Sequence, residues 1–145
     1  MNANIDHEDV VDLSAVPAIP ERIKVEEHIQ AGAFRFDQSK VTLYLDDEQQ
    51  NEKGITGHKL RQKLKVKTVY NVNLLEFYLS HSYLIPEEWK DKFIYFWGTI
   101  FQLRGMGTLV VRCLYWDPSA NMWRWGTSKL DGNFPGDRFA ATVTP

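Results

Sequence analysis

A single cysteine, Cys113, in a chain of 145 residues excludes an internal disulfide framework. No apolar run approaches the roughly 20 residues that span a bilayer. The N-terminal stretch MNANIDHEDVVDLS is acidic and lacks a basic segment followed by an apolar one, so no secretory signal is expected and a cytoplasmic setting fits best. Positive charge is not in excess either: the net charge of -2 argues against a chain that binds polyanions over its whole surface. His7, His28, His58 and His81 are scattered, with no His/Cys pair at zinc spacing. A GxSxG elbow, a phosphate-binding loop and a dinucleotide fingerprint are absent, and no cofactor is implied. What remains is a chain long enough to bury about two-thirds of its unfolded surface as one domain.

Charge is distributed unevenly. Residues 1–52 are strongly acidic. Residues 53–75 contain Lys53, Lys59, Arg61, Lys63, Lys65 and Lys67 and no acid, and residues 76–145 balance. Like charges packed this closely repel by a few tenths of a kcal/mol per neighbouring pair. Either the acidic part lies across the basic segment within one molecule, or the basic segment meets a polyanion or an acidic partner.

Residues 1–20, ending at Pro17 and Pro20, read as a mobile tail or docking arm. Residues 21–31 fit a short helix or an edge strand, and residues 1–33 together read as an acidic extension, partly disordered, of a domain spanning 34–145. Alternation of Val41, Leu43 and Leu45 with Thr42 and Tyr44 predicts a strand at 40–45. Leu60 and Leu64 at i, i+4 predict a basic helix at 57–64, with Thr56 as its cap. NVNLLEFYLSHSYLI predicts a broad-faced, nearly buried helix at 73–84 capped by Asn71 or Asn73, and Pro86 stops it. The last third reads as a meander of strands at 92–103, 108–117 and 121–130, followed by a turn-rich tail that tucks Phe134 and Phe139 against the sheet. The expected fold is α+β, a three- to four-stranded antiparallel meander packed with one buried and one basic helix.

All five tryptophans, Trp89, Trp97, Trp116, Trp123 and Trp125, fall in this last half. Strand alternation puts Phe93, Tyr95, Trp97 and Phe101 on one face and Ile94, Phe96 and Ile100 on the other, so both faces of the sheet are apolar. The helices look too few to hide both, which leaves an aromatic face for a partner. Arg112 and Arg124 lie among the aromatics, and Arg with Trp and Tyr dominates interface hot spots and stacks nucleobases. Candidate binding residues are therefore Lys59, Arg61, Lys63, Lys65, Lys67, Trp97, Arg112, Trp116, Trp123, Arg124 and Trp125. The bland alternatives are core aromatics and a solvated charged face.

Catalytic signals are weak. Asp46-Asp47-Glu48 and Glu87-Glu88 read as turn and helix-start acids. Asp131-Gly132-Asn133 opens like a calcium loop but has Pro135 at the fifth position and Thr142 at the twelfth, so the bidentate ligand is missing. Ser80-His81-Ser82 cannot form a triad from neighbouring helical positions.

LIPEEWKDKFIYFWGTI, LVVRCLYWD, MWRWG and the closing FAA, with FDQSKVTLYLDDEQ, GHKLRQKL and VYNVNLLEFYL upstream, resemble a family of short uncharacterised bacterial proteins. The resemblance covers roughly residues 34–141. It departs at Cys113, where an aromatic is expected, and at Phe139, where Pro often precedes the Ala pair. It implies one folding unit and transfers no catalytic residue. The leading expectation is a non-enzymatic module that binds another protein, or itself, through its aromatic sheet face or basic segment. The alternatives are a nucleic-acid binder using residues 53–70, with 57–64 and 73–84 as a loose helix-turn-helix, and a small hydrolase or nuclease using acids 46–48 with His58 or His81.

Overall fold

A computed structural model describes residues 10–51 and 53–145. The N-terminal half carries β1 (Val10–Asp12), β2 (Ile23–His28), β3 (Ala33–Arg35), β4 (Val41–Tyr44), the single-turn helix α1 (Asp47–Gln50), β5 (Ile55–Thr56), α2 (Gly57–Lys63) and α3 (Val72–Ser80). The remainder is built from β6 (Phe93–Tyr95), β7 (Thr99–Leu103), β8 (Leu109–Asp117), β9 (Met122–Lys129), β10 (Asn133–Phe134) and β11 (Arg138–Val143). The mixed α and β content is as the sequence predicts, but the main sheet has seven strands and is not a three- to four-stranded meander. Among the described residues, no helix is long and apolar enough to cross a membrane.

β8 is the spine of this sheet. One edge pairs with β9, from Val110 opposite Lys129 to Asp117 opposite Met122. The other edge carries two strands in succession, β7 near its start and β6 near its end. β7 continues to β2, and β6 continues to β11 and then β4. All these pairings are antiparallel except β6 with β11.

The fork exists because the strand expected at 92–103 is broken at residues 96–98. The Gly98 N–H donates to the Tyr70 carbonyl at 2.9 Å, and the Ile29 N–H donates to the Gly98 carbonyl at 2.7 Å. A Cβ on Gly98 would sit 2.8 Å from the Asn71 Cα, so no larger residue fits without a shift. Beyond the bend the alternation slips by one residue. Ile100 joins Tyr95 and Trp97 on one face, while Phe101 joins Ile94 and Phe96 on the other. That reverses the expected placement of Ile100 and Phe101, since strict alternation holds only along an unbroken strand.

Both faces of the sheet are covered by the chain itself. On one, Leu74, Leu75 and Tyr78 of α3, with Val11 from the antiparallel β1–β3 pair, pack on Ile94, Phe101, Val110 and Leu114. On the other, Leu60 and Leu64, with Ile55 of β5 and Phe134 of β10, pack on Tyr95, Trp97, Val111 and Cys113. α2 and α3 therefore pack into opposite cores, and no helix-turn-helix unit forms. Residues 10–28, inside the stretch read as an extension, supply β1 and the sheet strand β2; residues 1–9 of that reading lie outside the described residues. The tail read as turn-rich contains β11, an interior strand whose Ala140 and Ala141 are buried.

The N-terminus of α3 ties these parts together. The Asn71 side-chain oxygen accepts from the Asn73 N–H at 3.0 Å and caps the helix, as expected. Its Nδ2 donates to the Leu13 carbonyl at 2.8 Å and the Ile29 carbonyl at 2.9 Å. Asn73 Nδ2 donates to the Asp12 and Ala15 carbonyls. Alongside, the Val72 N–H donates to Thr99 Oγ1 at 3.1 Å, and Thr99 Oγ1 lies 2.8 Å from His28 Nδ1. His28 Nε2 lies 3.1 Å from the Ala15 carbonyl, which can only accept, so the proton is assigned to Nε2 and Nδ1 accepts from the Thr99 hydroxyl.

Two outcomes are expected. Asn71→Asp retains a capping oxygen yet sets a carboxylate against two carbonyls. Urea unfolding will show it at least as damaging as Asn71→Ala, which costs about 2–4 kcal/mol from the lost cap, the orphaned Ile29 carbonyl and a Leu13 carbonyl left with only the long 3.4 Å bond from the Ala31 N–H; an Asp variant as stable as wild type would refute the role of Nδ2. Burial lowers the His28 pKa against the opposing pull of the Ala15 carbonyl. The folded state thus prefers neutral His28, and its contribution is complete above about pH 6.5 and lost as pH falls through the lower folded value. His28→Ala will be less stable at alkaline pH but flatter in thermal melts across that window.

Candidate interaction surfaces

The basic segment lies on α2 and the short 3-10 turn that follows it, residues 64–66. Its charges are partly answered from within the chain. Arg61 Nη2 meets Glu27 Oε1 at 2.8 Å. Lys63 Nζ reaches Glu48 at 2.7 Å and Asp46 at 3.3 Å. Lys67 Nζ lies 4.4 Å over the Tyr44 ring. Lys59 and Lys65 are exposed and have no acidic partner among the described residues. The acidic N-terminal part does therefore lie across the basic segment, through Glu27, Asp46 and Glu48.

Asp46 is the most deeply built of these acids. Burial works to raise its pKa, but the Glu48 N–H, the Tyr44 hydroxyl and Lys63 outweigh it and hold the carboxyl below the usual range. It also caps α1 in a reciprocal pair with Gln49. Lys63 in turn is raised, mainly by its bond to Glu48.

The tryptophans divide. Trp89 and Trp97 are enclosed, at 5% and 4% exposure. Trp116 and Trp123 meet edge-to-face at 5.4 Å and are half-buried, with Lys90 Nζ 4.0 Å over the Trp116 ring. Trp125 is 42% exposed. The expectation that the helices leave a whole aromatic face open is thus overturned, because the β1–β3 and β5–β10 pairs help close the two cores. Among the tryptophans, marked exposure is confined to β9, where Met122 and Arg124 face solvent beside Trp125.

The two arginines sit in different settings. Arg124 Nε donates to Asp117 at 2.8 Å across the hairpin. Arg112 is 1% exposed; its Nη1 donates to Glu76 of α3 at 2.9 Å and its guanidinium stacks 4.2 Å from the Trp125 ring. Burial lowers the Arg112 pKa and Glu76 opposes that, while Nε has no partner.

Four of the candidate residues converge. Arg61, Lys65 and Lys67 line the mouth of a cavity of about 140 Å³ with Glu27, and Trp97 lines it together with Ile29, Leu64 and Val69. Periodicity alone does not find Glu27, Ile29 and Val69, which arrive from β2 and from the connection before α3.

The groups weighed for catalysis have structural partners. His58 pairs with Asp131 at 2.8 Å, His81 stacks on Phe77, and Asp46 is committed to α1 and Lys63. Cys113 is buried, and burial pushes its thiol up to about 11. No group of three or more His, Cys, Asp or Glu able to hold a metal occurs among the described residues.

The free strand edges differ sharply. β2 is charged and carries a bulge between Val25 and Glu27, and β4 is four residues long; both features discourage pairing with another chain. Among the described residues β9 is eight residues long, pairs only with β8, shows no bulge and contains no proline; of its two charges, Arg124 is held by Asp117 and Lys129 lies at its end. Its open edge is the second feature that the sequence reading missed, since alternation shows a strand but not its neighbours.

No family model, no curated protein and no solved structure matches this chain.

Asp46 generates the prediction here. Its folded pKa is depressed, so its contribution is present above about pH 4 and lost as pH falls through the lower folded value. Asp46→Asn will be less stable at neutral pH, and its chemical-denaturation midpoint will change less across the acid range than that of wild type. An unchanged acid slope would contradict the assignment.

Proposed function

We propose that this chain is a non-enzymatic interaction module that pairs with a second copy of itself along β9. The observation that carries this reading is the outer edge of β9, which among the described residues is the only long free strand edge of the main sheet without a bulge or a short span to protect it. An unpaired edge presents a row of backbone donors and acceptors, and main-chain bonds with alternating side-chain contacts then give a continuous sheet. Edge-to-edge association of identical strands is self-complementary across a two-fold axis.

The side chains suit that geometry. Centred on Gly126, antiparallel pairing of β9 with itself sets Arg124 opposite Ser128, Lys129 opposite Trp123 and Trp125 opposite Thr127. No cation faces a cation, and Lys129 meets an indole. Met122 and Trp125, now exposed, gain cover. The basic segment gives less support to a nucleic-acid reading, because Arg61 and Lys63 are already ion-paired and α2 and α3 lie in different cores.

Sedimentation velocity tests the reading. Wild type is expected to form a dimer that dissociates on dilution, with slowed amide exchange over residues 122–129 in the dimer. The Leu130 N–H bonds the Leu109 carbonyl, so by alternation the Thr127 N–H faces the open edge; Thr127→Pro, which removes that donor, and Trp125→Glu are each expected to shift the equilibrium to monomer with the far-ultraviolet spectrum unchanged. A wild-type monomer up to its solubility limit, or a dimer indifferent to both substitutions, overturns it.

A further inference from the structure

The cavity beneath the basic segment is independent of β9 and has a chemistry of its own. Three cations, Arg61, Lys65 and Lys67, stand at its mouth with one acid, Glu27. Glu27 is engaged by Arg61 at 2.8 Å, which leaves Lys65 with no acidic partner among the described residues and Lys67 with only the Tyr44 ring face. The excess is therefore two positive charges that no carboxylate among the described residues balances. Below them the wall is apolar: Trp97 and Leu64 are each 4% exposed. An apolar recess under unbalanced cations is complementary to a molecule with a greasy body and one negative end.

Size narrows the class. At about 140 Å³ the cavity is near the roughly 150 Å³ that accepts a benzene ring, and far below the roughly 300–1,000 Å³ typical of drug-sized ligands. A nucleotide or a folded peptide does not fit inside it. We propose that this cavity binds a small organic monoanion, a carboxylate attached to a single ring or to a short branched chain, with the apolar body against Trp97 and Leu64 and the carboxylate between Lys65 and Lys67. The walls come from four parts of the chain, the end of β2, the α2 region, the connection before α3 and the β6–β7 bend, so a ligand there also bridges elements distant in sequence.

Benzoate is the probe, titrated into the full ¹⁵N-labelled chain at low ionic strength while the indole N–H resonances are followed, with Trp97→Phe assigning the Trp97 signal. The expected result is a saturable shift of the Trp97 indole while that of Trp125 stays fixed. Benzyl alcohol, similar in size but uncharged, is expected to bind about ten-fold or more weakly, the loss of one charge-assisted contact. Acetate, which has the charge without the ring, is expected to give no saturable shift of Trp97. Lys65→Gln and Lys67→Gln, both at exposed positions, are each expected to weaken benzoate several-fold without changing the melting temperature, and Val69→Phe, which fills the recess, to abolish the shift. No saturable shift with benzoate overturns the proposal, and so does equal binding of benzyl alcohol or acetate, or indifference to both lysine substitutions. None of these outcomes depends on whether β9 pairs.

Discussion

The side-chain amide of Asn71 is the constraint on which the architecture depends. One group does three things: its oxygen caps α3, and its two N–H bonds hold the Leu13 and Ile29 carbonyls. Those carbonyls lie just past the ends of β1 and β2, and an unmet buried carbonyl costs about 1–3 kcal/mol. Meeting both from one buried side chain fixes residues 13–29 against the helix. Gly98 lies against the backbone of the same residue and bends the chain there. The fork of the sheet, the slip in alternation and the placement of β2 all follow from how closely residues 71 and 98 approach.

Hydrogen-bond direction runs consistently through the neighbouring relay. The Val72 N–H points to Thr99, the Thr99 hydroxyl to His28, and His28 to the Ala15 carbonyl. A proton added at Nδ1 would make the Thr99 hydroxyl turn and accept from both His28 and Val72, leaving its own hydrogen without this partner, while burial lowers the His28 pKa. The relay and the Asn71 amide serve the same joint, which makes the N-terminal segment part of the core cover rather than an appendage.

How far this was legible in the sequence depends on whether the signal is local. α2 and α3 were readable from i, i+4 apolar pairs and from Thr56 and Asn71, whose capping chemistry lies within three residues. β8 runs without interruption, and plain alternation accounts for its faces: Val110 and Leu114 in one core, Val111 and Cys113 in the other. The break at 96–98 was invisible because what forces it, the backbone of Asn71, lies far away in the chain. β11 was missed because Asn133, Pro135 and Gly136 look like turn residues and because Ala140 and Ala141, small and buried, lack the bulk that marks a strand. Of the candidate site residues, Trp97 and Arg112 were expected at a surface and are enclosed; composition reveals aromatics and cations, not what packs on them. The charge asymmetry was readable, and one of its two interpretations, acid across base, holds for Arg61 and Lys63.

Arg112 connects the buried core to the one exposed strand. Burying a guanidinium with an unpartnered Nε is costly unless other contacts compensate. Glu76 supplies a charge from α3, and the Trp125 ring supplies a face from β9. The result is a clamp: β9, bonded along one side only to β8, is held a second time through its most exposed indole to a helix on the sheet's covered face. A strand restrained in this way keeps its twist and register while its outer edge stays unpaired. Pre-ordering of that kind lowers the entropy lost when another strand adds. It also accounts for tolerating a buried cation where an apolar residue would pack at lower cost, because an apolar residue at 112 could fill the space beside Leu114 but could not bind Glu76 or stack on Trp125 as a cation.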